Sequence, residues 1–494
     1  MESEDVIEKT IGRSGRYQLW IFFLISIGRF PTEYQLTNVV FILPNPEYVC
    51  KDEGANNASN FCPCNNPEYD TSTVMSSVSS EWNLICDNRH LASLGQSMLQ
   101  IGILAGSIFY GHVSDRYGRK IACLLALTAE VFFVAISAAS TEFWMFAVCR
   151  FFIGVAVGGT MLCCYIIVIE LFGKSFRPYL PGLIEFSYIF SYLSLPLIAY
   201  FLRDWKHLQL VTSLPWVFVL FYYYLIPESP RWLITMGRKK EAIELLTFIA
   251  KKNNMPTKDI EAIVEKGYAA ALNEERKEHA SYLDLFKTPK IRRYTLIITF
   301  IWLCCAHTFF GINQYIGRLQ GNIYINVALS ATSLIPGLVL VVLASLYLKR
   351  KTSVITSFSV AAISLLLFIV IPRSLETVTR VLAIIGMIGA YTSFVQIYLY
   401  SSEIFPTVIR NSAMGFASVF ARFGGFIAPF VVNIGVEWVS ILIFSILAMC
   451  AASLCIFLPE TKETVLLNTI EQTENKNELD NKENTDNSKA HNTS

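Results

Sequence analysis

Twelve apolar runs, each long enough to cross a bilayer, leave this chain few choices of fold. They fall at about 17–43, 91–110, 121–140, 144–169, 180–202 and 207–226, then at 294–313, 322–348, 353–371, 377–399, 412–434 and 438–458. About 20 residues at 1.5 Å per residue span the hydrocarbon layer, and only helices satisfy every backbone group within one such segment. With 53% hydrophobic and only 16% charged residues among 494, the chain has too few charges for a soluble protein of its size. An all-α membrane protein of twelve transmembrane helices follows.

The net charge of +1, with basic residues scattered over several loops rather than concentrated on one face, argues against a nucleic-acid partner. No phosphate loop, metal cluster or nucleophile constellation stands out, so an enzyme is not expected and no cofactor is called for. Lys and Arg gather in alternate loops, which puts both ends of the chain in the cytosol. Residues 1–16 then form a cytoplasmic amino terminus, 227–293 a cytoplasmic linker, and 459–494 a tail whose polar composition reads as disordered.

Between the second and third runs lies Gly111-His112-Val113-Ser114-Asp115-Arg116-Tyr117-Gly118-Arg119-Lys120, a hairpin hinge whose glycines supply the reversal. The halves also repeat. Tyr165, Glu170, Arg177 and Gly182 recur as Tyr398, Glu403, Arg410 and Gly415, each displaced by 233 residues, and Pro227-Glu228-Ser229 recurs as Pro459-Glu460-Thr461. A duplication of this kind predicts two six-helix bundles, residues 17–226 and 294–458, with a solute site at the repeat interface. Lys349-Arg350-Lys351 stands in the place of the Asp115 to Lys120 loop without its aspartate or glycine, which predicts that an inside gate built on that loop is weaker in the second half.

Residues 44–90 form one polar loop holding Cys50, Cys62, Cys64 and Cys86 and the sequon at Asn57. Outside the cell these cysteines would form at least one disulfide, with three pairings open, and Asn57 would carry glycan. Most of the remaining cysteines lie in apolar runs and act as small hydrophobes.

The Gly111 to Lys120 loop resembles the signature of the major facilitator superfamily, whose members carry solutes by alternating access. Pro46-Glu47-Tyr48-Val49-Cys50, Ser80-Glu81-Trp82-Asn83-Leu84-Ile85-Cys86-Asp87, Pro227-Glu228-Ser229-Pro230-Arg231-Trp232-Leu233 and Glu403 to Arg410 narrow the resemblance to its organic-ion transporters, the solute carrier family 22 type. The resemblance implies conformational roles for Gly111, Asp115, Arg116, Gly118, Arg119, Lys120, Arg150, Glu170, Arg177, Glu228, Arg231, Glu403 and Arg410. It also implies a plasma-membrane carrier in which one chain suffices for transport, driven in some members by a proton or sodium gradient.

A charge inside a span is costly without water, partner or ligand. Glu185 and Arg422 are therefore candidates for holding the solute. Glu33, four residues from Arg29, is either a partner of that arginine or a cavity residue. Tyr165, Phe309, Phe310, Tyr391 and Tyr398 offer ring faces to an organic cation. Glu130 reads as structural, and His307 as a core histidine rather than a proton shuttle. Arg422 before Gly424-Gly425 resembles the carnitine and anion branches. The expected solute is a zwitterion or amine-bearing cation of carnitine-like chemistry. An organic anion is the alternative, ahead of a sugar or a receptor role without transport.

Overall fold

The computed structural model describes residues 5–44, 46–52, 59–275, 282–372, 374–462 and 470–474. Asn57 and most of the tail lie outside them. Among the described residues, eleven helical segments are long and apolar enough to cross a membrane. The twelfth crossing is the first run, which is broken. Its pieces are Arg16–Gly28, Phe30–Thr37 and Val39–Ile42, with interruptions at Arg29 and Asn38. The first break falls just before Pro31, whose ring removes a helical donor and crowds the preceding turn.

The chain forms two compact units. One comprises Met1–Lys277 with Asn313–Thr332, and the other Glu278–Ile312 with Ser333–Ser494. In the first, the Arg89–Tyr117 and Phe143–Leu171 helices approach with backbones nearly touching. A Cβ on Gly154 or Gly158 would lie 2.3 Å from the carbonyl oxygens of Leu99 and Ile103. The spacing of these glycines one turn apart thus serves packing, as small residues do between membrane helices. Residues 313–332 are held in the same unit by Tyr192 Oη, which donates to Asn313 Oδ1 at 3.2 Å and Ser330 Oγ at 3.1 Å. Gln314 Nε2 also donates to Gln96 Oε1 at 2.5 Å.

The polar loop is a small stapled domain. Tyr48–Cys50 pairs antiparallel with Pro67–Tyr69, and the disulfides are Cys50–Cys64 and Cys62–Cys86. The four loop cysteines are thereby all used. Trp82 packs on Phe146 and Trp205 at centroid distances of 5.7 and 5.6 Å, which seats the loop on the helix ends beneath it.

In the linker, Ser229 caps the Pro230–Thr235 helix by accepting from Trp232 N–H at 3.2 Å, with Pro230 at the first position where no donor is needed. The Lys239–Lys252 helix buries Ala242, Leu246 and Ile249, as its periodicity predicts. What covers them was not foreseen. Ile7 and Ile11, fully buried on the amino-terminal Val6–Ile11 helix, join Leu246, Ile249, Ile260 and Val264 in one apolar cluster.

Candidate functional site

The Gly111 to Lys120 segment differs from the expected hairpin. The Arg89–Tyr117 helix continues through Gly111, and the whole reversal falls on Gly118 at φ 115° before the next helix starts at Arg119. Polar residues can prolong a helix beyond the membrane because its backbone bonds are internal. Gly111 is therefore no hinge. At Gly118 a Cβ would sit 2.3 Å from Glu228 Oε2, so both backbone and space require glycine there.

Around that turn the charges interlock. Arg119 meets Asp115 at 2.6 Å and Glu170 at 3.2 Å. Glu228 Oε1 accepts from the backbone N–H of Lys120 at 3.0 Å, at the start of the Arg119–Ala138 helix where donors lack intrahelical partners. Trp232 Nε1 donates to the Asp115 carbonyl at 2.9 Å, tying the linker to the same turn. Arg116 stands apart, exposed, with its guanidinium 5.6 Å from the Tyr117 ring centroid. Arg177 Nη2 lies 3.6 Å from Asp5, and Arg231 pairs with the same carboxylate. Asp5 carried no signal in the sequence, since an acid near a polar terminus looks like solvated surface.

The second unit repeats this arrangement. Arg350 Nε is 3.4 Å from Glu403, Glu460 accepts from the N–H groups of Arg350 and Lys351 at 2.8 and 3.1 Å, and Thr461 Oγ1 donates to Glu403 at 2.6 Å. Arg410 Nη2 donates to the Phe405 carbonyl at 3.4 Å, matching Arg177 Nε on the Phe172 carbonyl at 3.4 Å. The second half thus keeps the glutamates of the cluster, while among the described residues it lacks a counterpart of the Arg119–Asp115 pair, as the missing aspartate in Lys349-Arg350-Lys351 implies.

Within the first unit a buried polar network crosses the helices at the level of the broken span. Glu33 pairs with Arg29 at 2.7 Å, and both are buried, which supports the partner reading of Glu33 over a free cavity carboxylate. Glu130 accepts from Thr32 and Thr160 at 2.7 and 3.2 Å, consistent with a structural place. Arg150, wholly buried, donates to Gln35 Oε1 at 2.9 Å, while Gln35 Nε2 donates to Gln209 at 2.8 Å and Asn38 Nδ2 to Gln209 at 3.2 Å. Gln35, Asn38 and Gln209 escaped the sequence reading, although uncharged amides in apolar runs are a signal when such runs must satisfy every polar group. Glu185 is half-buried on the Leu180–Phe201 helix, and Tyr165 is exposed on the Phe143–Leu171 helix.

The second unit gathers the other aromatic candidates. Phe309 and Phe310, on the Pro289–Ile316 helix, meet Phe394 of the Glu376–Ile404 helix at centroid distances of 5.0 and 6.3 Å. Tyr391 lies 6.2 Å from Phe309, and Tyr398 lies 5.6 Å from Phe394 and 4.3 Å from Trp302. Phe394 and Trp302 complete a cluster that the sequence showed only in part. His307 Nδ1 shares a hydrogen bond of 3.1 Å with the Gly424 carbonyl, so it joins two helices in the core. Arg422, two residues away on the Thr407–Val432 helix, is half-buried and has no hydrogen bond or ion pair among the described residues.

Paired charge clusters on duplicated helices, beneath long apolar spans, define a multi-pass membrane protein of the major facilitator superfamily. The fold agrees with solved structures of the xylose transporter XylE from E. coli. An inward-open form matches with TM-score 0.65 at 19% identity over 91% of this chain and 98% of that one, and a partially occluded form with TM-score 0.66 at 18% identity. Residues 53–473 match the family model described as sugar (and other) transporter, and the chain belongs to that family. Among curated relatives, the Drosophila melanogaster organic cation transporter protein is 32% identical over 83% of this chain and 76% of its own length. Solute carrier family 22 member 3 of Mus musculus is 33% identical over 81% and 72%, and organic cation/carnitine transporter 2 of Homo sapiens 29% identical over 96% and 94%.

Proposed function

We propose that this protein carries small organic ions across the plasma membrane by alternating access, with a carnitine-like zwitterion as the preferred solute. One observation carries the substrate class: Arg422 stands in an apolar helix without any anionic partner among the described residues. An arginine keeps its charge in any protein environment, so an arriving carboxylate is the counter-charge it lacks. Phe309, Phe310, Tyr391, Phe394 and Tyr398 form an aromatic group in the same unit, suited to an ammonium head. Names of the relatives, which include organic cation and carnitine carriers, support the same class. An organic anion is the second reading, favoured by Arg422 alone.

In this reading the basic turns face the cytosol, as do both termini. The disulfide loop lies outside with glycan on Asn57, and a monomer transports without a cofactor, driven by the solute gradient or by coupling to protons or sodium. Arg422→Ala should raise the half-saturation concentration for carboxylate-bearing solutes roughly tenfold or more, since a charged hydrogen bond contributes about 1.5–3 kcal/mol. Lysine should rescue in part, because it lacks the planar fork. Uptake of a cation, an anion and a zwitterion, each at two pH values with and without sodium, is the measurement. Unaltered affinity for carboxylates in an alanine variant that reaches the surface would remove the assignment.

A further inference from the structure

The amino-terminal segment does more than end the chain. Besides burying Ile7 and Ile11, it is pinned to the loop after the Phe143–Leu171 helix by a set of polar bonds that converge on two acids. Asp5 accepts from Lys174 N–H at 2.7 Å and pairs with Arg177 and Arg231. Glu8 accepts from Ser175 twice, from the backbone N–H at 3.0 Å and from the hydroxyl at 2.5 Å. Gly173 N–H donates to the Arg13 carbonyl at 3.2 Å, closing the other side. The Ser175 hydroxyl thus donates directly from that loop to Glu8, and it is exposed, as is Lys174 beside it.

We propose that Ser175 is a phosphate-acceptor site and that its modification unlatches the amino-terminal helix. The sequence around it, Lys174-Ser175-Phe176-Arg177, presents one base immediately before and one two residues after the hydroxyl, a flank that suits basophilic serine kinases. In the transfer the Ser175 oxygen attacks the γ-phosphorus of magnesium-bound ATP. An O–P bond forms, the bond to the bridging oxygen of the β-phosphate breaks, ADP leaves, and the hydroxyl proton passes to the kinase's base. The product replaces a donor with three acceptor oxygens carrying nearly two negative charges.

That change inverts the contact with Glu8. The carboxylate loses its hydroxyl donor and faces a dianion where the bond was 2.5 Å. Burial plays almost no part there, for Ser175 itself holds the Glu8 carboxyl below its usual range through the two hydrogen bonds that phosphorylation breaks or opposes. Bases wait nearby for the new charge. Arg13, on the amino-terminal segment with its guanidinium 5.9 Å from the Phe176 and Tyr179 ring centroids, and Arg177, on the loop, are the neighbouring bases, and Arg177 would have to leave Asp5 to reach it. Both acidic anchors of the helix are therefore weakened by one modification.

The proposal rests on the cytosolic placement of this end, so the test separates the two. Detergent-purified full-length protein is treated with a basophilic serine kinase and magnesium ATP, where sidedness does not enter. Phosphate on the peptide containing Ser175, with amide exchange of residues 6–12 accelerated at least tenfold, is the expected result. No phosphate at Ser175, or phosphate with unchanged exchange, overturns it. Ser175→Glu should accelerate the same amides, Ser175→Ala should do so much less, and adding Glu8→Gln to Ser175→Glu should restore protection. Failure of Glu8→Gln to restore it also overturns the proposal, because the repulsion would then not be the cause. Labelling of Ser175 in intact cells by ATP and kinase added outside would refute the sidedness alone.

Discussion

The turn at Gly118 and the turn at Lys349 build the same charge cluster from different sequences. In both, a basic residue opening a helix reaches a glutamate at the end of the neighbouring helix, Arg119 to Glu170 at 3.2 Å and Arg350 to Glu403 at 3.4 Å. A second glutamate, Glu228 or Glu460, caps that helix through backbone donors. The difference lies in the reversal. Gly118 turns at φ 115°, whereas Lys349 turns in extended backbone at φ −68°, ψ 145°, which any residue adopts. Gly118 of the loop signature therefore marks one way of making a turn, and the cluster itself depends on residues far away in the chain.

The sharpest way to break the likeness is Gly118→Ala. A methyl group there meets the Glu228 carboxylate and sits at a dihedral that costs other residues about 1–3 kcal/mol before the clash is counted. Lys349→Ala, its counterpart, meets no such constraint. We expect a drop of several degrees in apparent melting temperature in detergent, and lower surface abundance, for Gly118→Ala alone. Equal effects in the two halves would mean that the turn geometry is not what separates them.

Next is the capping pair, where the order of the halves reverses. Glu460 accepts from four backbone N–H groups, those of Arg350, Lys351, Thr461 and Lys462, at 2.8–3.1 Å. Glu228 accepts from two, Lys120 and Ser229, at 3.0 and 2.9 Å. Charge-assisted bonds of this kind contribute about 1.5–3 kcal/mol each where buried and less at a half-exposed helix end. Glu460→Gln should lower the melting temperature more than Glu228→Gln. The half lacking the loop signature would then hold the stronger cap.

These comparisons also show what a chain of this kind discloses before it is folded. The spans were legible because hydrocarbon imposes a length and a composition on every crossing. The break at Arg29 goes with Pro31, a helix breaker visible in the sequence, whereas the one at Asn38 was not legible, since asparagine does not forbid a helix. Gly111 misled because a glycine beside charges reads as a turn, yet the helix simply runs on into water. Glu170 and Glu228 were recognised as important, but their partners lie 51 and 108 residues away, and no local pattern encodes a pairing at that distance. The aromatic candidates were found in part for the converse reason: ring types are visible, while the contact of Phe394 with Phe309 is created by two helices meeting. Disulfide pairing had three equal solutions until the folded loop, with Cys50 opposite Pro67 in its short sheet, brought Cys50 within 5.8 Å of Cys64, Cα to Cα.

A smaller effect distinguishes the two acids on Arg119. Glu170 is a partly buried partner, its side chain 18% exposed against 14% for the arginine, and it accepts from both Nε and Nη2. Glu170→Gln should cost about 1 kcal/mol or somewhat more, near the value of a lost charged hydrogen bond. Glu403→Gln should cost a similar amount, because Thr461 adds a donor that glutamine can still accept. Uptake velocity at equal surface abundance is the companion measurement. A variant that melts earlier yet transports normally would make the pair a brace rather than part of the conformational cycle.

The smallest effect belongs to the residue that the loop signature displays most openly. Asp115 pairs with Arg119 at 2.6 Å, four residues apart on a helix, but its side chain is 75% exposed. Solvent and salt screen such a pair, which contributes about 0.3–0.5 kcal/mol. Asp115 also acts through its backbone, whose carbonyl takes the Trp232 indole N–H, and this contact survives any substitution of the side chain. Asp115→Asn should accordingly shift the melting temperature by less than Glu170→Gln, and the shift should vanish as ionic strength rises. Its second-half position has no aspartate at all, so the two halves should become more alike, not less stable. If instead Asp115→Asn stopped uptake at normal surface abundance, the carboxylate would have a role in a conformation other than this one, and the asymmetry between the halves would be functional.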